Sequence, residues 1–175
     1  VAVGDEAGTA LTTGDHNVAL GYAALGTEDA HGYNTAIGGR SLYTLNAGAD
    51  AYNTAVGYDS GRLITTGTHN TLIGGLAGDA ITTGIRNSLL GYNSGGLITT
   101  GASNTFVGKD AGAANTTASS NTFIGERAGL ANTTGDESVA VGQFSYAANT
   151  TGADNVAIGR AALSVNTTAS NNVAI

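Results

Sequence analysis

The chain has 175 residues, 28 of them Gly, with no Pro, Cys, Met or Trp and only 11% charged. Thirteen acids against six bases leave a net charge of −7, which argues against nucleic acid and anionic membrane as partners. Disulfides are excluded, and no apolar run approaches the roughly 18 residues needed for a membrane span.

One unit recurs from end to end. Its Asn stands at Asn17, Asn34, Asn53, Asn70, Asn87, Asn104, Asn121, Asn155 and Asn172, with Ser138 in the remaining place. Every step is 17 residues except the 19 between Asn34 and Asn53. A fixed period of this length predicts a solenoid whose rungs bury apolar surface against their neighbours. The expected fold is an all-β parallel β-solenoid of about ten coils, and residues 1–175 read as one repeat segment of a longer fibre. Helix is excluded, because Gly every few residues would cost about 1 kcal/mol each in a helix interior.

With the Asn as slot zero, a strand is expected over slots one to three of each rung. Slot three is aliphatic throughout: Val3, Leu20, Ile37, Val56, Ile73, Leu90, Val107, Ile124, Val141 and Ile158. Alternation along a strand puts slots one and three on one face and slot two on the other. Judged by apolarity, slot three points into the coil. Slot two then faces outward, and it is bulky only in mid-chain, at Leu72, Leu89, Phe106 and Phe123. Those four are expected to pack between chains, most simply in a parallel trimer. Slot four is Gly at Gly21, Gly38, Gly57, Gly74, Gly91, Gly108, Gly125, Gly142 and Gly159, where positive φ or close backbone approach is expected. Slot seven is always Ala or Ser, which suggests a cramped corner. A second short strand is expected over slots nine to thirteen, carrying the Thr-Thr pairs that run from Thr12-Thr13 to Thr167-Thr168.

In chain order, the pattern is disturbed over 26–52, where Thr-Thr-Gly is lost at Glu28, Asp29 and His31 and two residues are inserted. Insertions in solenoids map to loops on a binding face, so these three residues are candidate binding residues. Tyr22, Tyr58 and Tyr92 occupy slot five in every second rung, with Gly39 and Gly75 between. Such rings pack over the neighbouring glycine or against the next chain, or they stack on a sugar or protein partner. Further along, slot eleven changes from Leu11, Ile64, Ile81 and Ile98 to Asn115, Asn132, Asn149 and Asn166. These asparagines precede Thr-Thr and match the glycosylation pattern, beside the simpler reading as a structural strand element.

No catalytic set emerges. His16 and His69 share the slot before the Asn, but the rungs between them break any metal column. Acids at the turns alternate with Tyr, Gly, Lys and Arg, unlike calcium-binding rolls with an Asp in each repeat. No phosphate loop is present. No cofactor and no enzymatic activity are expected.

Asn-Thr-Ala-Ile-Gly (34–38), Asn-Val-Ala-Ile-Gly (155–159) and Ser-Val-Ala-Val-Gly (138–142) resemble the head repeats of YadA-like trimeric autotransporter adhesins. The longer unit over 121–135 also resembles repeats of phage tail-fibre-like proteins. The resemblance implies a left-handed, trimeric β-roll in an extracellular, cell-surface or virion fibre that attaches to a host glycan or protein receptor. The adhesin heads are usually tighter, near 14 residues per coil, so the cross-section here departs from theirs. A self-assembling filament and an ice-binding solenoid are the alternative readings, the latter because Thr columns can order water.

Overall fold

The computed structural model describes residues 1–28 and 30–175. Eleven strands form one parallel sheet: β1 (Ala2–Val3), β2 (Val18–Leu20), β3 (Thr35–Ile37), β4 (Thr54–Val56), β5 (Thr71–Ile73), β6 (Ser88–Leu90), β7 (Thr105–Val107), β8 (Thr122–Ile124), β9 (Val139–Val141), β10 (Val156–Ile158) and β11 (Val173–Ala174). Strand order equals chain order, and each slot pairs with the same slot of the next rung. The chain is therefore a β-solenoid of about ten turns. The insertion does not break the stack, because β3 pairs in register with both β2 and β4. The extra residues are absorbed at the turn before Asn53, around Gly48, whose surroundings are open.

The inner strands β2 to β10 are three residues each because slot four ends them. These glycines have φ between +120° and +142°, and at Gly74 an added Cβ would stand 2.4 Å from the Gly91 carbonyl oxygen of the next rung. Both reasons for glycine, left-handed φ and close approach, hold there. Further left-handed positions follow at slot six, at slot eight and just before the Asn. Non-glycine residues occupy many of them, such as Arg40 (φ 55°), Leu42 (φ 49°) and Tyr52 (φ 54°).

The parity of the strand is the reverse of the sequence-based expectation. Slot two is interior: Ala19, Ala36, Ala55, Leu72, Leu89, Phe106, Phe123, Ala140 and Ala157 are all buried. Leu72, Leu89, Phe106 and Phe123 are thus core residues of a single chain, not an inter-chain stripe. The slot-three residues Val3, Leu20, Ile37, Val56, Ile73, Leu90, Val107, Ile124, Val141 and Ile158 face outward, with Leu20 45%, Ile73 38% and Leu90 47% exposed. The Asn decides this. Asn53, Asn70, Asn87, Asn104 and Asn121 are fully buried. The side-chain oxygen of Asn70 accepts the Asn87 N–H at 3.0 Å, and its Nδ2 donates to Gly84 O at 2.9 Å, closing its own coil. A buried amide without such partners would cost about 1–3 kcal/mol, so slot zero must point inward. Slot two shares its side, and a shift of one residue flips every other side chain.

Slots eight and eleven are also interior and face slot two. Where slot two is Ala, slot eight is large, as in Ala19/Leu25, Ala36/Leu42, Ala140/Tyr146 and Ala157/Leu163. Where slot two is Leu or Phe, slot eight is Gly, as in Leu72/Gly78 and Phe106/Gly112. Two rungs combine Ala with Gly: the end rung has Ala2 and Gly8, and the rung of β4 has Ala55 and Gly61, whose space is filled by Leu42 and Leu72 leaning in from the rungs on either side. Slot seven is buried at Ala24, Ser41, Ser60, Ala77, Ser94, Ala111, Ala128 and Ser145, in keeping with a cramped corner.

The expected second strand does not form. The Thr-Thr segment converges on one carbonyl of the next rung: Thr99 O accepts the N–H of Thr82 at 2.9 Å and those of Thr83 and Gly84 at 3.3 Å, and the Thr82 hydroxyl donates to the same oxygen at 3.2 Å. The equivalent hydroxyl of Thr133 bonds Thr150 O at 2.8 Å. Thr ladders are present, built from hydroxyls to main chain instead of paired strands.

Candidate functional surface

The outer face of the sheet displays slots one and three. Slot one is Val18, Thr35, Thr54, Thr71, Ser88, Thr105, Thr122, Val139, Val156 and Val173, and slot three is aliphatic in every rung. No charged residue occurs in either column along the whole rod. Outside charges are concentrated at the neighbouring edge. There Arg40 donates to both carboxylate oxygens of Asp59 at 2.8 and 2.6 Å, which raises the Arg40 pKa. Lys109 lies 2.8 Å from Asp110. Burial pushes the Asp110 pKa up, but hydrogen bonds from Lys109 and Asn93 and the nearby charges outweigh it and the net shift is downward. Burial raises Asp79, against the opposing attraction of Arg62.

Along that edge Tyr22, Tyr58 and Tyr92 are more than half exposed. Tyr58 lies against Gly39, where an added Cβ would stand 3.4 Å from its Cδ2, and Tyr92 lies against Gly75 at 3.6 Å. The rings of Tyr58 and Tyr92 pack over the glycines of the preceding rungs, as one of the expectations had it, whereas the slot before Tyr22 holds Asp5. A hydrogen bond to Glu6, and that residue's charge, hold the Tyr22 phenol above its usual pKa.

The disturbed stretch places Glu28 in interior slot eleven, fully buried in a column of Leu11, Leu45 and Ile64. Its Oε1 accepts the His31 N–H at 3.3 Å and lies 3.4 Å from His31 Nδ1. Glu28 and His31 come together; Asp29 lies outside the described residues. Glu28 acts from inside the coil, so it presents no carboxylate to a ligand.

Sequence reasoning missed an exposed aromatic column. His16, Tyr33, Tyr52 and His69 stack one on the next with centroids 4.8, 4.8 and 5.3 Å apart. The signal was four rings in the same slot of consecutive rungs, obscured by weighing the histidines as metal ligands. The ring faces are spent on one another, so the column stiffens the insertion-bearing rungs. Among the described residues no group of three His, Cys, Asp or Glu could hold a metal. Asn115, Asn132 and Asn149 are fully buried, so glycosylation of those sites is closed to the folded chain.

Tyr146 was also missed. Ser138 is too short to span its coil, and the Tyr146 hydroxyl donates to Gly152 O at 2.6 Å, the carbonyl an asparagine at 138 would have served. Asn155 Nδ2 donates to the same phenol oxygen. One shallow hollow of about 410 Å³, lined by Asn93, Leu97, Ala113, Ala114, Leu130 and Ala131, holds no titratable group. No protein-family model, curated protein or solved structure matches the chain.

Proposed function

We propose that this chain is the rod of a multi-chain attachment fibre, most simply a parallel trimer, displayed outside the cell or on a virion. The observation behind this reading is the uncharged outer face of the sheet, with an aliphatic column in every rung beside a column of Thr, Ser and Val. Eleven strands at about 4.8 Å spacing make it roughly 50 Å long and two side-chain columns wide. An apolar strip of several hundred Å² marks an interface in soluble proteins. The slot reversal moves the expected contact from Leu72, Leu89, Phe106 and Phe123 to Leu20, Ile73, Leu90 and Ile124, which are exposed. The role is structural and adhesive, not enzymatic, and a host glycan or protein receptor is the expected partner. No nucleic acid, membrane insertion or cofactor enters it.

Light scattering tests the reading. Three chains of 17.1 kDa give about 51 kDa. Ile73→Lys with Leu90→Lys, both on the outer face, is expected to reduce that mass to one chain with the circular dichroism unchanged. A single-chain mass for the unaltered protein would overturn it, and open-ended fibres would make the chain a filament subunit. One observation favours ice binding as a second reading: Thr35, Thr54, Thr71, Thr105 and Thr122 form an outward column beside the aliphatic one. A single-chain mass together with thermal hysteresis would select it.

A further inference from the structure

We propose that Tyr22, Tyr58 and Tyr92 form a linear platform for an extended, neutral β-1,4-linked glycan lying along the rod. The three rings occupy one slot in alternate rungs and are 55%, 59% and 54% exposed. Rungs rise 4.8 Å, as the stacked rings of His16 and Tyr33 record, so the platforms are about 9.6 Å apart. In a β-1,4-linked chain of equatorial sugars each unit is turned half over relative to the last. Every second sugar therefore presents the same face, at a repeat close to two rungs. An α-linked chain coils away from a straight row and loses register after one ring.

The chemistry of the edge suits such a ligand. The aliphatic C–H face of a pyranose packs on the electron-rich face of an aromatic ring. Gly39 and Gly75 keep the intervening rungs clear of side chains that would lift the sugar off its ring. Polar groups held in place stand beside two of the platforms. Arg40 is fixed by Asp59, donates to the Tyr58 hydroxyl and lies over the Tyr58 ring 5.2 Å from its centroid, which leaves the sugar the ring surface away from the guanidinium, and Asn93 Nδ2 is held 2.8 Å from Asp110. These can meet the equatorial hydroxyls at the sugar rim. The same slot holds Asp5 before the row and Lys109 after it, so the platform ends after three rings, the length of a pentasaccharide. A net charge of −7 disfavours uronate or sulfated chains and leaves neutral ones.

The inference rests on the attachment reading only in requiring this edge to stay outside the assembly. Depletion of the protein by microcrystalline cellulose and by chitin tests it, with calorimetry against cellopentaose and chitopentaose and dextran as the control. Retention on either β-1,4 polymer and none on dextran is expected. Tyr58→Ala is expected to weaken binding at least tenfold. The decisive variant is the swap Gly75→Tyr with Tyr92→Gly, which keeps three tyrosines but breaks the two-rung spacing. It is expected to bind as weakly as Tyr58→Ala, with mass and circular dichroism unchanged. No retention of the unaltered protein, or full binding by the swap, would overturn the proposal. A three-chain mass without retention defeats this inference alone, whereas a single-chain mass with retention defeats only the trimer.

Discussion

The rungs of β5 and β6 and those of β7 and β8 enclose the same coil with different contents. The first pair fill slot two with Leu72 and Leu89 and slot eleven with Ile81 and Ile98. The second pair carry Phe106 and Phe123, stacked 4.8 Å apart, and place Asn115 and Asn132 in slot eleven. In the next rung slot two shrinks to Ala140 and the ring returns from the opposite wall as Tyr146. What the coil conserves is filled volume, as expected where interiors are close-packed. The slot that supplies the large group is free to move from rung to rung.

The largest effect should come from filling both facing slots at once. A Cβ on Gly112 would stand 2.3 Å from the Phe106 ring, so Gly112→Leu is expected to cost about 3 kcal/mol or more through overpacking. Backbone strain alone does not explain such a loss, because Leu25 and Leu42 occupy the same slot at φ 51° and 49°. Adding Phe106→Ala recreates the Ala-Leu combination of β2 and β3 and should recover most of the stability. Guanidinium unfolding of the two singles and the double measures the coupling. A double variant as weak as the sum of its singles would mean that the slots do not trade volume.

A smaller effect is expected at the rung without an asparagine. Tyr146→Phe removes the bond to Gly152 O and an acceptor for Asn155, at a cost of about 1–2 kcal/mol. The pH dependence carries a distinct signature. Burial raises the Tyr146 pKa above its ordinary 10.0, so the folded state favours the neutral phenol. That contribution is complete below the ordinary value and is lost as pH rises through the raised one. Melting curves of the two proteins should therefore converge in strong alkali. A constant gap across pH would show that the phenol is not the titrating group.

Period, parallel pairing, the glycine turns and the solenoid itself were legible in the sequence, because slot-by-slot recurrence is a direct record of stacking. The inside and outside of the strand were not. Apolarity ranked Ile37 and Ile73 above Ala36 and Asn70, yet the buried amide fixes the parity and a narrow coil prefers Ala where Leu42 already fills it. The Tyr22, Tyr58 and Tyr92 row was legible because it repeats. The partnership of Ser138 with Tyr146 was not, because it occurs once and joins two slots whose proximity only the fold defines.

The smallest prediction concerns the boundary between the two regions. Asn132 donates to Gly135 O at 2.9 Å and accepts from Asn149 at 2.7 Å, so the polar column supports itself once begun. Asn115, its first member, follows Ile98, is fully buried, and has no partner for either side-chain oxygen or nitrogen. Replacing an unsatisfied buried amide by an apolar group of the same shape removes a desolvation cost, so Asn115→Leu is expected to stabilise by about 1 kcal/mol. The same change at Asn132 should destabilise, because it removes two bonds that are made, leaving Gly135 O only its bond from Asn121 and Asn149 Nδ2 only its bond to Gly152 O. A raised midpoint with an unchanged denaturant slope is the signature to look for at Asn115. A loss there would mean that a buried water serves the amide, and the polar column would then begin one rung earlier than the hydrogen bonds between side chains and main chain place it.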